Sequence, residues 1–137
     1  MVRSSTHNQE RHSQKCHILL VEDNKINQKV VTLMLGKYGI QPAIAEGGQE
    51  AINKAVGEPY DLILMDLHMP GMDGMEAATQ IKSRLGDKSP PIVALTADAM
   101  RCESLSYREH GLDGCLTKPI NSDILKSCIE QFTSYRF

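Results

Sequence analysis

The strongest constraint on the fold of this chain is a set of four short apolar runs, each followed directly by polar residues. The runs end at Glu22 and Asp23, at Asp66, at Thr96 and at Lys118. Such short continuous runs are typical of strands buried on both faces of a parallel sheet. Ligands of open parallel sheets bind outside the carboxyl ends of the strands. The pattern therefore predicts one site that holds carboxylates, a hydroxyl and an ammonium, which suits a divalent cation and a phosphoryl group.

Segments with helical spacing alternate with the apolar runs. The sequence predicts strands over residues 17–21, 42–45, 62–66, 92–96 and 114–117, and helices over residues 24–38, 48–56, 75–85 and 99–110, with a last helix after Asn121. Ile26, Val30, Leu33 and Met34 are apolar positions that predict the first helix, and Val56 is expected to face inward from the second. Pro42 places the second strand near a sheet edge. Five successive βα units predict an α/β fold with helices on both faces of a parallel sheet.

Length and composition narrow the class of protein. The chain has 137 residues, 41% hydrophobic residues and a formal charge of -2, which argue for one globular domain. Basic residues are scattered, so no nucleic-acid partner is expected. No apolar stretch is long enough for membrane insertion, and the polar N-terminus does not resemble a signal peptide, so a cytoplasmic location is expected. Residues 1–15 are expected to form a disordered tail or linker, and residues 16–137 the domain.

The four cysteines are widely spaced in the sequence. Cys16, Cys102, Cys115 and Cys128 form no CxxC pair, so neither a zinc site nor a redox motif is indicated. Free thiols are expected at all four positions, because the chain is long enough for a core and carries no secretion signal.

Four strand-end motifs resemble those of the response-regulator receiver domain of two-component phosphorelays. The matching stretches are Val-Glu-Asp-Asn at 21–24, Met-Asp-Leu-His-Met-Pro-Gly-Met-Asp-Gly at 65–74, Leu-Thr-Ala at 95–97 and Leu-Thr-Lys-Pro at 116–119. The resemblance covers roughly residues 16–132 and is greatest to the receivers of hybrid histidine kinases. It implies a doubly wound, flavodoxin-like (βα)5 fold with a five-stranded parallel sheet in the order 2-1-3-4-5.

The resemblance also implies a site centred on Asp66. This residue would be the phosphoacceptor, whose carboxylate attacks the phosphorus of a phosphohistidine. Mg²⁺ would be held by Glu22, Asp23, Asp66 and the backbone carbonyl of His68, a set of oxygen ligands that suits a hard cation. Positive charge is needed there because two anions must approach each other.

Five further positions are interpreted from the same family. Lys118 would pair with one phosphoryl oxygen, and Thr96 would donate its hydroxyl to another. Pro119 matches a proline that follows a cis peptide bond in the family, and Asp73 is expected to cap the third helix. Cys115 stands where many receivers have a Tyr or Phe that rotates on phosphorylation, so we expect only a small conformational response here.

The expected function is that of a phosphorelay receiver, with no output domain attached. It would accept the phosphoryl group on Asp66 and pass it to a histidine-phosphotransfer protein or lose it by hydrolysis. The expected partners are a histidine kinase, a histidine-phosphotransfer protein or both, and the domain is expected to be a monomer. It would catalyse its own phosphorylation and dephosphorylation without being a conventional enzyme, either as a stand-alone protein or as an excised part of a hybrid kinase.

Two alternatives come from other functional classes. A flavodoxin-like flavin-binding module would need a phosphate-binding loop rich in Ser, Thr and Gly after the first strand, where Glu22 and Asp23 would instead repel a phosphate. A receiver used only for docking would lack Asp66, Lys118 or the acidic pair, and all of these are present.

Overall fold

The computed structural model describes residues 16–137, apart from the side chains of residues 105 and 106. The strands are β1 (Ile18–Val21), β2 (Ala43–Ala45), β3 (Leu62–Asp66), β4 (Ile92–Thr96) and β5 (Gly114–Thr117). The α-helices are α1 (Lys25–Gly36), α2 (Gly48–Gly57), α3 (Gly74–Leu85), α4 (Ala99–Glu103) and α5 (Ser122–Phe132), and two 3₁₀ segments span Gly86–Lys88 and Leu105–His110. The tail expected over residues 1–15 lies outside the described residues.

The five strands form one parallel sheet in the order β2-β1-β3-β4-β5, as predicted. The β2 strand lies at an edge of this sheet, in agreement with the position of Pro42. The chain runs from β1 outward to β2 and then crosses to β3 on the other side of β1. This reversal creates a crevice at the carboxyl ends of β1 and β3, which is where open α/β sheets bind ligands.

The core has two layers because successive strand residues point to opposite faces of the sheet. On one face, Leu19 and Ile63 pack with α2 and α3. On the other face, Leu20 and Leu64 pack with α1 and α5. Both faces are covered, which explains why the central strands are continuous apolar runs in the sequence.

Side-chain caps fix where three of the helices begin. The side-chain carbonyl of Asn24 accepts from the Asn27 N–H at 2.9 Å, and that of Asn121 accepts from the Ile124 N–H at 2.8 Å. Asp73 caps α3 by accepting from the Glu76 N–H at 3.0 Å, which confirms its expected role. The three caps place the starts of α1, α3 and α5 directly after the loops that follow β1, β3 and β5.

Most of the apolar stripe that predicted α1 does not face the core, and only its last member, Met34, packs partly against it. Ile26 and Leu33 are 73% and 65% exposed, whereas Val31 and Leu35 are buried. Val56 of α2, expected to face inward, is also 47% exposed. Helical spacing alone does not show which of two apolar stripes meets the sheet.

The helix expected over residues 99–110 is wrong in length. The α-helix ends at Glu103, and the Leu105–His110 segment continues as a 3₁₀ helix. None of the residues of α4 is buried, so no packed face supports a longer helix.

The expectation of four free thiols is wrong for two of them. Cys102 of α4 and Cys115 of β5 form a disulfide, with their Cα atoms 5.2 Å apart. Cys16 and Cys128 are free, as expected, and both are buried. A separation of 13 residues gives no sign in the sequence that α4 returns to lie beside β5.

None of the helices between residues 16 and 137 combines the length and the apolar character that a membrane crossing requires.

Gly74 marks a close approach of α3 to the end of β3. A Cβ atom at this position would lie 2.6 Å from the backbone oxygen of Asp66. We expect Gly74→Ala to lower the free energy of unfolding by about 1–3 kcal/mol, because the overlap is with backbone that cannot rotate away. Chemical denaturation measures this effect. Gly36→Ala is the control, since nothing lies within 4 Å of its Cβ position, and equal stability of the two variants would contradict the close approach.

Candidate functional site

Strand register brings the residues of the predicted site to one edge of the sheet. Val21 pairs with Met65 in β3, so Glu22 and Asp66 follow side by side. Asp66 pairs with Leu95, and Thr96 pairs with Thr117, so Thr96 and Lys118 complete the same edge. The backbone N–H of Lys118 also donates to the Thr96 carbonyl at 2.7 Å, which ties the ends of β4 and β5 together.

Three carboxylates form the centre of this site. Oxygen atoms of Glu22, Asp23 and Asp66 all lie within 4.8 Å of one another. Glu22 and Asp66 are buried, whereas Asp23 is partly exposed. Oxygen donors without nitrogen or sulfur suit Mg²⁺ or Ca²⁺ better than a transition metal. The residues present therefore fit a hard divalent cation.

Lys118 brings positive charge to the same group. Its Nζ lies 3.4 Å from Asp66 Oδ1 and 3.7 Å from Glu22 Oε1. One ammonium against three carboxylates leaves a formal excess of two negative charges in this group. A divalent cation would offset this excess.

Within the carboxylate cluster, the pKa of Glu22 is raised. Burial raises the pKa of the Glu22 carboxyl, and repulsion from Asp66 raises it further. The bond that its Oε2 accepts from the Asn24 N–H, at 3.1 Å, and the charge of Lys118 act in the opposite direction without cancelling the rise in pKa. The folded chain therefore holds a carboxylate in surroundings that disfavour its charge.

The Asp66 carboxylate has a fixed orientation. Its Oδ1 accepts from the His68 N–H at 3.0 Å, and the next residue, Leu67, donates its N–H to the Leu95 carbonyl at 3.1 Å. The residue itself is 2% exposed. His68 as a whole is exposed, and its backbone N–H is the group that contacts the site.

Thr96 is fully buried at the end of β4, with its hydroxyl already in one hydrogen bond. Its Oγ1 accepts from the Asp98 N–H at 3.1 Å. A hydroxyl that accepts one bond still has its own proton to donate. The peptide bond between Lys118 and Pro119 is cis, in agreement with the family pattern.

Gln28 is a supporting residue that the sequence analysis missed. Its Nε2 donates to the Glu22 carbonyl at 2.7 Å and to Glu46 Oε2 at 3.3 Å. Lys25 forms an ion pair with the same Glu46 carboxylate. The contacts restrain the backbone of the acidic pair. The sequence carried no clear signal for this role, because it did not show that the core covers the face of α1 that carries Gln28 and Val31.

An apolar groove adjoins the charged site. It runs between α1 and the loop after β5, and its lining residues are Glu22, Asn27, Val30, Val31, Met34, Leu95, Lys118, Pro119 and Ile120. Glu22 and Lys118 belong to both features, so the groove and the charged site are continuous.

Comparison with known proteins gives the family. Residues 18–130 match the response regulator receiver domain. The hybrid signal transduction histidine kinase G of Dictyostelium discoideum is 42% identical over 123 residues, which are 88% of this chain and 4% of that protein. The osmosensing histidine protein kinase SLN1 of Saccharomyces cerevisiae is 42% identical over 121 residues, which are 84% of this chain and 10% of that protein. The chain thus spans a small part of these relatives.

Solved structures agree with this match. A Saccharomyces cerevisiae co-crystal structure contains the histidine phosphotransfer signaling protein Ypd1 and the receiver domain of its response regulator Ssk1, and it matches with a TM-score of 0.80 and 34% identity over 88% of this chain and 90% of that chain. The receiver domain of a Pseudomonas aeruginosa sensor histidine kinase, solved with magnesium ion in its active site cleft, matches with a TM-score of 0.80 and 32% identity over 89% of this chain and all of that chain (100%). The motifs, the fold and these matches lead to one conclusion: the chain belongs to the response regulator receiver domain family of phosphorelay signalling.

Proposed function

We propose that this receiver accepts a phosphoryl group from a phosphohistidine on Asp66, in a Mg²⁺-dependent reaction, and then passes it to a histidine-phosphotransfer protein or loses it to water. The observation that carries the proposal is the Asp66 carboxylate at the end of β3, with the Lys118 ammonium 3.4 Å away and two further carboxylates beside it. This arrangement combines a nucleophile with the charges that a phosphoryl group requires.

Asp66 acts as the nucleophile. One of its carboxylate oxygens attacks the phosphorus, a P–O bond forms, the P–N bond to the donor imidazole breaks, and the electron pair of that bond stays on the imidazole nitrogen. The bond from the His68 N–H holds the carboxylate in place before the attack. Positioning of this kind is most of what a protein contributes to phosphoryl transfer.

Lys118 and Thr96 stabilise the transferred group. The Lys118 side chain is 28% exposed, so its flexible stem can follow the group as charge moves onto the phosphoryl oxygens. Thr96 donates its free hydroxyl proton to another phosphoryl oxygen while it keeps the bond from Asp98. Both residues therefore act on the phosphorylated state.

Glu22, Asp23, Asp66 and the backbone carbonyl of His68 would hold the Mg²⁺. When bound, the ion supplies positive charge that lets two anions approach each other. The net negative charge of the cluster and the raised pKa of Glu22 support this assignment. Gln28 fixes the backbone on which the acidic pair is carried.

The proposed partner surface is the outer face of α1 together with the loop at Pro119. Ile26, Val30 and Leu33 form an exposed apolar stripe beside the groove that leads to Lys118. Such a surface suits an amphipathic helix laid in a groove. A histidine on that helix would reach Asp66, which is the arrangement that transfer to a histidine-phosphotransfer protein requires.

The cellular setting follows from this role. We place the domain in the cytoplasm as a monomer, and we assign it to a hybrid histidine kinase, because such kinases are prominent among its relatives. Family membership argues against the flavin-binding alternative, and the complete set of site residues argues against a role in docking alone.

Asp66 is expected to be the sole phosphorylation site. Incubation with a small phosphodonor and Mg²⁺ should add roughly 80 Da, the mass of one phosphoryl group, to the wild-type chain. Asp66→Asn should abolish the gain because an amide oxygen is not an adequate nucleophile. Asp87→Asn, on an exposed 3₁₀ segment, is the control and should behave as the wild type. Intact mass spectrometry gives the answer, and labelling of the Asp66 variant at equal stoichiometry would refute the assignment.

Phosphorylation is expected to require Mg²⁺. The ion should also raise the melting temperature, because a ligand that binds only the folded state stabilises it. Asp23→Asn should reduce both effects without unfolding the domain, since Asp23 is partly exposed. Thermal melts and phosphorylation rates with and without a chelator test this, again with Asp87→Asn as control. A phosphorylation rate that excess chelator leaves unchanged would rule out the metal requirement.

Ile26 is expected to matter for phosphotransfer to a partner and not for phosphorylation by a small donor. With the yeast protein Ypd1 as acceptor, Ile26→Ser should slow transfer by roughly tenfold, the scale of losing an apolar anchor. Because Ile26 is largely exposed, stability should not change. Val56→Ser, an exposed apolar position on α2, is the matched control. Equal transfer rates for the two variants would place the partner elsewhere.

A further inference from the structure

The disulfide between Cys102 and Cys115 joins the least well anchored helix of the fold to the sheet. Helix α4 has five residues, none of them buried. Arg101 contacts the Met75 sulfur of α3 at 3.4 Å, and Asp98 caps the first turn by accepting from the Met100 N–H at 3.0 Å. A helix this short has little stability of its own. A covalent bond to β5 is therefore a large part of what holds it in place.

We propose that Cys102 and Cys115 form a reversible thiol–disulfide site that fixes α4 against β5 when oxidised and releases α4 when reduced. The state of this bond sets how readily the loop between Thr96 and α4 rearranges on phosphorylation. The effect on this loop rests on the proposed function, whereas the redox chemistry of the cysteine pair does not.

Cys102 and Cys115 are accessible to thiol–disulfide exchange, whereas the other two cysteines are protected from it by burial. The backbone holds the Cα atoms of Cys102 and Cys115 at 5.2 Å, within the usual range for disulfides, and both residues are only partly buried. Cys16 and Cys128 are 4% and 3% exposed. Burial raises the pKa of each of these two thiols to about 11, which suppresses the reactive thiolate. Oxidants are thus directed to one pair.

A short chain of contacts connects the disulfide to the phosphorylation site. Cys102 lies in α4, whose N-cap is Asp98, and the Asp98 N–H donates to the Thr96 hydroxyl. Cys115 pairs with Ala94 in β4 and precedes Lys118 by three residues. The bond also lies at Cys115, the position where many receivers have a Tyr or Phe that rotates on phosphorylation. An oxidised pair therefore restrains the loop after Thr96, and this loop must move if the Thr96 hydroxyl is to approach a phosphoryl group.

The redox step is a two-electron exchange. In oxidation, the two thiols lose two protons and two electrons, the S–S bond forms, and a low-molecular-weight disulfide is cleaved into two thiols. In reduction, a dithiol gives up the same electrons and becomes a cyclic disulfide while the two protein thiols return. In the cytoplasm, where we propose that this domain acts, disulfides are usually transient and serve catalysis or redox sensing, which favours a reversible role for this bond.

The first arm of the test concerns the bond itself. The full chain is reduced with dithiothreitol, freed of reductant and exposed to oxidised glutathione. We expect a loss of about 2 Da for one S–S bond, mapped by non-reducing digestion to Cys102 and Cys115 and reversed by dithiothreitol. Cys102→Ser should prevent the loss, whereas Cys128→Ala should not. A bond that does not form, or that joins other cysteines, overturns the proposal.

The second arm measures the helix. Amide hydrogen exchange over residues 98–103 is compared in the oxidised and the reduced protein, and exchange in the reduced form should be faster by at least roughly tenfold. Residues of β1 supply the internal control and should exchange equally in both forms. Cys102→Ser should match the reduced form under either condition. Equal exchange over residues 98–103 in the two forms overturns the release of α4.

The third arm measures the coupling to phosphorylation. With a small phosphodonor and Mg²⁺, the reduced chain should be phosphorylated roughly fivefold faster than the oxidised chain, a usual size for coupling between two sites. Cys102→Ser should be fast under both conditions. Equal rates in the two forms overturn the coupling. A chain that is phosphorylated in neither state contradicts the proposed function instead, and the exchange measurement still decides the redox site.

Discussion

Mutual repulsion among the carboxylates of Glu22, Asp23 and Asp66 is the interaction on which the other features of the site depend. Their oxygens lie within 4.8 Å of one another, and two of the three residues are buried. A cluster of this kind persists only where the surrounding structure holds it. Parallel pairing of β1 with β3, the bond from Gln28 to the Glu22 carbonyl and the Lys118 ammonium hold it here. The same repulsion would be relieved by a divalent cation, which is what the proposed phosphoryl chemistry requires.

Helix α1 serves two purposes with two different faces. Its inner face, with Gln28, Val31 and Leu35, packs on the sheet and supports the acidic pair. Its outer apolar stripe stays uncovered beside the groove that leads to Lys118. An apolar surface that a fold leaves exposed next to its reactive groups is well suited to a partner, because binding there places the partner at the chemistry.

The β5 position held by Cys115 shows how one residue changes the connection between a site and the remote parts of its fold. An aromatic ring there can turn between two rotamers, and cysteine has no ring to turn. The disulfide to Cys102 instead joins β5 to a helix that begins three residues after Thr96. In the proposed redox site, stability and response would be linked, since the bond that joins α4 to β5 would also restrict the loop between Thr96 and α4.

The sequence by itself determined the strands and the order of βα units, because buried parallel strands are continuous apolar runs. It also predicted candidate site residues, because those residues follow the runs directly and the ends of parallel strands meet at one edge of the sheet. Three helix caps, at Asn24, Asp73 and Asn121, were also predictable from local chemistry. Tertiary structure decided which stripe of α1 is covered and where α4 ends. It also decided the contact of Gln28 with the Glu22 backbone and the pairing of Cys102 with Cys115. These features depend on contacts between segments distant in the chain, and local spacing carries no information about which surfaces will meet.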